Sequence, residues 1–315
     1  MEFKVAKAAQ AKKPKKSKYT KSYLADERAC YTMILPQIIG FCVFTIIPLG
    51  WAIAHAWTYY DMISTRFVGF DNFKILFTDV MYWKALWNTI LYGIMKIPVE
   101  IPIALVLAVL LHSKIKGKGF YRAIFYLPHI ISIALIALTF SNMFTHFGVV
   151  NAFLTNLNLI DVPIDWFNSK YLAMGIIVLA DIWASFGVNV LYFIAALANV
   201  SDEVYESARL DGATNVQSFF KITLPMIAPT FQIILMLSII GTLQINEMVV
   251  VMTNGAPGGT TNSVLSYIFQ NYAPGMATGS VNVGYGCCMA LITGIILAMI
   301  TGTYMKLSSK VKDIC

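Results

Sequence analysis

Charge is what this sequence has least of. Asp, Glu, Lys and Arg make up 12% of its 315 residues while apolar residues make up 58%, against about 25% and 45 to 50% in an ordinary soluble domain. That balance excludes a soluble globule and a disordered chain. The five cysteines (Cys30, Cys42, Cys287, Cys288 and Cys315) show no CxxC spacing and no accompanying histidine cluster, so a disulfide framework and a zinc site are not supported. They read as small apolar packing residues. No GxxxxGKS or GxxxxGKT run is present, so the chain has no P-loop with which to cradle ATP phosphates. HExxH, GxSxG and a His-Asp-Ser constellation are also missing, which argues against an intramembrane enzyme. No arginine or lysine cluster lies within the apolar segments to mark a phosphate site, which favours neutral solutes.

What is there is apolar length. Residues 29–60, 123–160 and 248–305 contain no Asp, Glu, Lys or Arg, and each exceeds the roughly 20 residues that cross a bilayer core. Hydropathy and length predict six spans, at 31–57, 85–112, 123–144, 171–200, 222–252 and 281–304. The expected fold class is therefore all-α, a polytopic membrane protein with six transmembrane helices. An even count places both termini on one side. The termini and the connections on their side hold 18 Lys and Arg against 4 on the other, with Lys96 inside a span, so both termini are expected to be cytoplasmic. Trp51, Trp57, Trp83, Trp87 and Trp166 fall near the outer ends of spans or in outer loops, and Trp183 lies within one.

The net charge of +7 is local, because 9 of the 23 Lys and Arg sit in residues 1–29. It reads as a topology signal and a contact with anionic lipid rather than a nucleic-acid surface. That basic stretch and the length of the first apolar run do not fit a signal peptide, so the first span is expected to remain in the mature chain. The organisation follows: a basic tail at 1–29, a first helix and outer loop at 30–84, a core at 85–308 and a tail at 309–315. The outer connection 253–280 is uncharged, with five glycines and two prolines, and is free to fold back into a mouth or meet a partner.

One cytoplasmic segment, 201–229, is too polar to enter the bilayer yet carries helix punctuation. Ser201 followed by Asp202 and Glu203 predicts a helix start, and Gly212 its end. Thr214 with Gln217 predicts a capping box opening a second helix, and Leu224-Pro225 and Pro229 a bend into the membrane. The result is a rigid projection with an apolar side (Val204, Tyr205, Ala208) and a charged side, suited to press into a groove on a soluble partner.

Glu206-Ser207-Ala208, Asp211-Gly212-Ala213, Phe219, Ile222, Leu224-Pro225 and Pro229 together resemble the EAA loop of permease subunits in binding-protein-dependent ABC importers. Ser207 replaces the middle alanine. Phe67-Val68-Gly69-Phe70-Asp71-Asn72-Phe73, Asn88-Thr89, Phe125, Leu127-Pro128, Gly148 with Asn151, Trp183 with Gly187, and Thr253-Asn254-Gly255-Ala256-Pro257 are similar to the carbohydrate type, that of the maltose and glycerol-phosphate permeases. The usual Gly-Gly-Pro stands here as Gly-Ala-Pro.

The resemblance implies a type I ABC importer permease fold, with the coupling loop at 201–224. It implies a second homologous permease, a dimer of ATP-binding cassette subunits that binds ATP and Mg, and an extracytoplasmic solute-binding protein, in a bacterial inner membrane. It assigns ATPase coupling to Glu206, Ala208, Asp211 and Gly212, and places Phe186, Val188, Asn189, Gln244, Ile245 and Glu247 near the substrate path; Asn246 joins them as a polar group within the fifth span. No catalytic residue, metal ligand or cofactor is expected in this chain. The solute is expected to be a sugar or oligosaccharide, with glycerol-phosphate or another small polar solute as the alternative.

The residues unaided agree with a polar path, since sugars offer an apolar face to aromatic rings and hydroxyls to amides and carboxylates. Interhelical hydrogen bonding is the plainer reading of Gln244 and Asn246. Lys96 and Glu100, four apart, read as an ion pair in the second span, where Pro98 and Pro102 suggest a bend; His129 reads as a packed residue. The rival is an ion-coupled secondary carrier using Asp181, Glu247, Lys96 and Glu100 as a relay.

Overall fold

The computed structural model describes residues 19–112, 116–276 and 281–312. The tail before residue 19, Lys114 and Cys315, used in the charge and cysteine arguments, lie outside them. Two compact units divide the chain, Met1–Ala52 and Ile53–Cys315.

The first unit holds α1 (Tyr19–Phe41), a π-helical turn (Cys42–Ile46) and the start of α2 (Ile47–His55). The wide turn immediately precedes Pro48. A proline ring clashes with the carbonyl four residues back, and an i→i+5 turn makes room for it; the Ile47 amide bonds the Cys42 carbonyl instead.

The second unit opens with an antiparallel hairpin, β1 (Thr58–Tyr60) and β2 (Thr65–Phe67), in which Thr58 faces Phe67 and Tyr60 faces Thr65. This is a small β addition to the expected all-helical chain. Then follow α3 (Asp71–Thr78), α4 (Val80–His112), α5 (Lys118–Ile130), α6 (Ile133–Met143), α7 (Val149–Asn156), α8 (Lys170–Ala198), α9 (Asp202–Leu210) and α10 (Asn215–Ser218). A second π-turn (Phe219–Thr223), α11 (Leu224–Leu243), α12 (Glu247–Met252), α13 (Val264–Tyr272) and α14 (Val283–Lys312) complete it.

Among the described residues five helical runs are long and apolar enough to cross a membrane, and α5 with α6 makes a sixth crossing if counted as one span. The sequence reads the third crossing as one span, 123–144. Instead α5 and α6 meet at 91°. Pro128 brings no N–H to the last turn of α5, Ile131 takes extended backbone (ψ 141°), and α6 restarts after Ser132. α4, by contrast, runs unbroken through Pro98 and Pro102.

Small residues let the spans close on one another. A Cβ on Gly187 of α8 would sit 1.8 Å from the Phe125 carbonyl oxygen of α5, so those helices touch through backbone. Ile101, Ala104 and Ala108 of α4 then pack with Val190, Phe193 and Leu197 of α8 and Ile227 and Ile234 of α11.

Three motif asparagines prove to be buried staples. Asn72 donates to the carbonyls of Ala56 and Thr58, and Asn88 to those of Thr260 and Asn262. Asn151 joins α7 to the loop ahead of α8 through Ile164 and Trp166. In the connection 253–280, Thr261, Asn262 and Ser263 are buried, with Tyr92 donating to the Thr261 carbonyl at 2.7 Å.

Candidate functional site

Two features stand out, a knob between α8 and α11 and a break between α11 and α12. In the knob, α9 begins where expected, with Ser201 in extended backbone at the N-cap and Asp202 and Glu203 in the first turn. The Ser201 hydroxyl makes no capping bond; its backbone carbonyl accepts from Val204 instead.

The helix ends at Gly212, which takes a left-handed φ of 78°. The Ala213 amide bonds the Ala208 carbonyl and the Gly212 amide that of Arg209, at 2.9 and 3.1 Å. This is the paired closure that a left-handed residue permits after a helix. Thr214 and Gln217 then form the expected reciprocal capping box, at 2.9 and 3.3 Å. The second helix is a single turn that passes through the π-turn into α11, so that Asn215–Leu243 is one continuous run. Pro225 therefore does not bend the chain away: the Leu224 amide bonds the Phe219 carbonyl, five residues back, as at Pro48.

The apolar side of the knob faces its own unit. Ala208 is buried, Tyr205 packs on the α4–α8–α11 core, and its hydroxyl meets Thr223 Oγ1 at 3.0 Å. Ala208 therefore packs the knob onto its own unit. Glu206, Asp211 and Gly212 are exposed, beside Leu210, Val216 and Phe220.

The fifth span, expected unbroken to residue 252, stops at Leu243. Residues 244–246 leave the helix, Asn246 adopting φ −142° and ψ −64°, before α12 starts at Glu247. Non-helical backbone at membrane depth needs internal partners. One is supplied by Ser263, whose hydroxyl donates to the Ile245 carbonyl. Gln244 is exposed and lines an open cavity of about 370 Å³ with Ile240 and Leu243 of α11 and Leu297, Thr301 and Met305 of α14. Glu247 is exposed, and Asn246 keeps a buried Oδ1 that has no hydrogen-bond partner.

Asn189 does not join this group. It is 4% exposed and donates to Glu100 Oε1 at 2.9 Å and to Ser238 Oγ at 3.2 Å. Phe186 is half-buried and edge-on to Phe125 at 5.9 Å. Trp183 is more open, at 41% exposure, beside Phe140.

The Lys96–Glu100 pair is present at 3.8 Å, yet Lys96 is held more closely by Asp181 of α8, at 2.7 Å. Ser185 donates to Glu100 at 2.7 Å, a partner not singled out in the sequence. The spacing of Asp181, Ser185 and Asn189 at steps of four was the available signal, since it places all three on one helix face. Among the described residues no group of His, Cys, Asp and Glu is arranged to hold a metal.

Several apolar spans, one broken where amides and a carboxylate gather, describe a membrane permease. Residues 75–311 match the family of binding-protein-dependent transport system inner membrane components, and the chain belongs to that family. It is 36% identical over 298 residues to the probable ABC transporter permease protein YesP of Bacillus subtilis (strain 168), covering 93% of this chain and 94% of the relative. It is 30% identical to the arabinooligosaccharides transport system permease protein AraP of the same organism, covering 95% and 94%. The fold is similar to that of a bacterial ABC transporter involved in the import of the acidic polysaccharide alginate, with a TM-score of 0.79, 23% identity, and 93% and 99% coverage.

Proposed function

We propose that this chain is one of two permease subunits of an ATP-driven importer that takes up a sugar or oligosaccharide delivered by an extracytoplasmic binding protein. The arabinooligosaccharide relative supports the solute class. The observation that carries the reading is the broken fifth span. A buried amide oxygen without a partner is unfavourable by about 1–3 kcal/mol, and at this break the Asn246 Oδ1 is such an oxygen, available to a solute hydroxyl. Gln244 and Glu247 add exposed polar groups at the same break, and Trp183 and Phe186 offer ring faces to the apolar side of a pyranose. Asn189 acts at one remove, by positioning Glu100 and Ser238. A glycerol-phosphate head calls for free buried cations, whereas Lys96 is already held by Asp181.

In this reading ATP and Mg are bound by a separate ATPase dimer, and both termini and the knob lie in the cytoplasm. Glu206, Asp211 and Gly212 present the docking surface, Ala208 seats it, and closure of the ATPases turns the spans as rigid bodies between inward- and outward-open states. The test is uptake of labelled sugars by the assembled transporter in proteoliposomes. Asn246→Ala is expected to raise KM while binding-protein-stimulated ATP hydrolysis persists. Unchanged uptake kinetics for Asn246→Ala and Gln244→Ala together would remove the break from the path.

A further inference from the structure

Helix α7 is amphipathic, and its apolar side faces away from its own unit. Phe147, just ahead of it, is 93% exposed, Val149 69%, Phe153 61% and Leu157, just past it, 53%. The steps of four from Val149 to Leu157 put these three on one face.

The other face is fixed without them. A Cβ on Gly148 would lie 2.3 Å from the Met143 carbonyl oxygen, so the turn out of α6 admits only glycine. Buried Asn151 donates to the carbonyls of Thr145, His146 and Ile164 and accepts from the Ile164 amide and Trp166 Nε1. Burial of the apolar side is therefore not what folds this segment.

The same bonds set its depth. Asn151 is one hydrogen bond from Trp166, and Trp166 packs edge-on against Phe144 at 5.4 Å, directly past the end of α6. Four residues on, α8 starts at Lys170, whose ammonium lies 5.7 Å from the Tyr171 ring centroid. Trp, Tyr and Lys at the ends of apolar helices mark the headgroup level of a bilayer. α7 is thus tied to two span ends at that level. Docking surfaces for soluble proteins carry a polar, charged rim, but neither α7 nor the residues carrying its apolar face include Asp, Glu, Lys or Arg, and the nearest charges in sequence, Asp161 and Asp165, lie in the loop ahead of α8. Eight residues make a helix of about 12 Å, too short to span and long enough to lie flat.

We propose that α7 is an interfacial helix lying in the membrane plane, with Phe147, Val149, Phe153 and Leu157 sunk into the boundary between headgroups and acyl chains. Its occupant is lipid, and it props the outer end of the bent third crossing. The proposal rests on the chain spanning a membrane and not on the solute.

The test is nitroxide accessibility in the assembled transporter, reconstituted in phosphatidylcholine–phosphatidylglycerol vesicles. Cys30, Cys42 and Cys315 are first replaced by serine, and single labels are placed by Val149→Cys, Phe153→Cys or Leu157→Cys, with Asp161→Cys as the water-exposed reference. Labels at 149, 153 and 157 are expected to relax several-fold more with oxygen, and several-fold less with a nickel chelate, than the label at 161. Nickel accessibility equal to that at 161 would put the helix in water, and exclusion of both reagents would mean that a protein covers it. Either result overturns the proposal.

Discussion

The ammonium of Lys96 on α4 lies 2.7 Å from a carboxylate oxygen of Asp181 on α8, and it stands between that carboxylate and the one on Glu100. One cation therefore serves two acids. Through Ser185, Asn189 and Ser238 the network reaches α11, so three spans are linked by one set of polar contacts.

Removing Lys96 leaves buried Glu100 and partly buried Asp181 uncompensated. Lys96→Met is expected to destabilise the complex by about 3–5 kcal/mol, whereas Lys96→Met combined with Asp181→Leu and Glu100→Gln recovers most of that loss. Thermal unfolding of the detergent-solubilised complex measures both. A triple variant no more stable than the single would show that the charges are not what holds these spans.

Two glycines on α8 separate packing from helix propensity. Gly187→Ala drives a Cβ into the Phe125 backbone and is expected to cost about 3 kcal/mol or more. Gly175→Ala meets nothing within 4 Å and should be stabilising by up to about 1 kcal/mol, since alanine favours the helix. Folded yield and melting temperature of the two variants decide it.

Gly212 has free space around it, so conformation rather than volume limits what replaces it. Asparagine tolerates left-handed backbone; a β-branched residue does not. Gly212→Asn is expected to keep most sugar uptake, and Gly212→Val to lose it while the ATPase subunits still hydrolyse ATP. Equal uptake by the two variants would show that the turn has no part in coupling.

The hairpin tip between β1 and β2 should respond to acid. Asp61 accepts from the Ser64 and Ile63 amides, and these bonds hold its carboxyl below the ordinary carboxylate range. A lowered folded pKa contributes order that is fully present above the unfolded value of about 3.9 and is lost as pH falls through the folded value. Amide exchange at residues 63 and 64, corrected for intrinsic rates, should stay protected down to about pH 4 and lose protection below it. Asp61→Asn should flatten the profile.

Much of this architecture was legible because its causes are local. Charge-free length marks spans, and the turn in the middle of the knob was readable at Gly212 and at Thr214 with Gln217. What escaped depends on partners far away in sequence. The break at 244–246 is supported by Ser263, which no local pattern announces. The bend of the third crossing was masked by an apolar run that remains favourable in either shape. Val204, Tyr205 and Ala208 read as a surface for another protein because amphipathicity shows that a face is apolar but not what covers it; Tyr205 packs on the chain's own core and Ala208 is buried. Lys96 was paired with its neighbour four residues on, while Asp181, closer in space, lies eighty-five residues away.

We propose that nucleotide hydrolysis by separate subunits drives solute through this chain by way of the knob at 201–224. It is tested most directly by sugar accumulation in proteoliposomes holding the purified chain with its companion permease, ATPase and binding protein, with wild-type Gly212 or Gly212→Val. Accumulation that requires internal ATP and the binding protein, and that vanishes in Gly212→Val, is the expected result. Accumulation driven by an ion gradient in vesicles without the ATPase would contradict it.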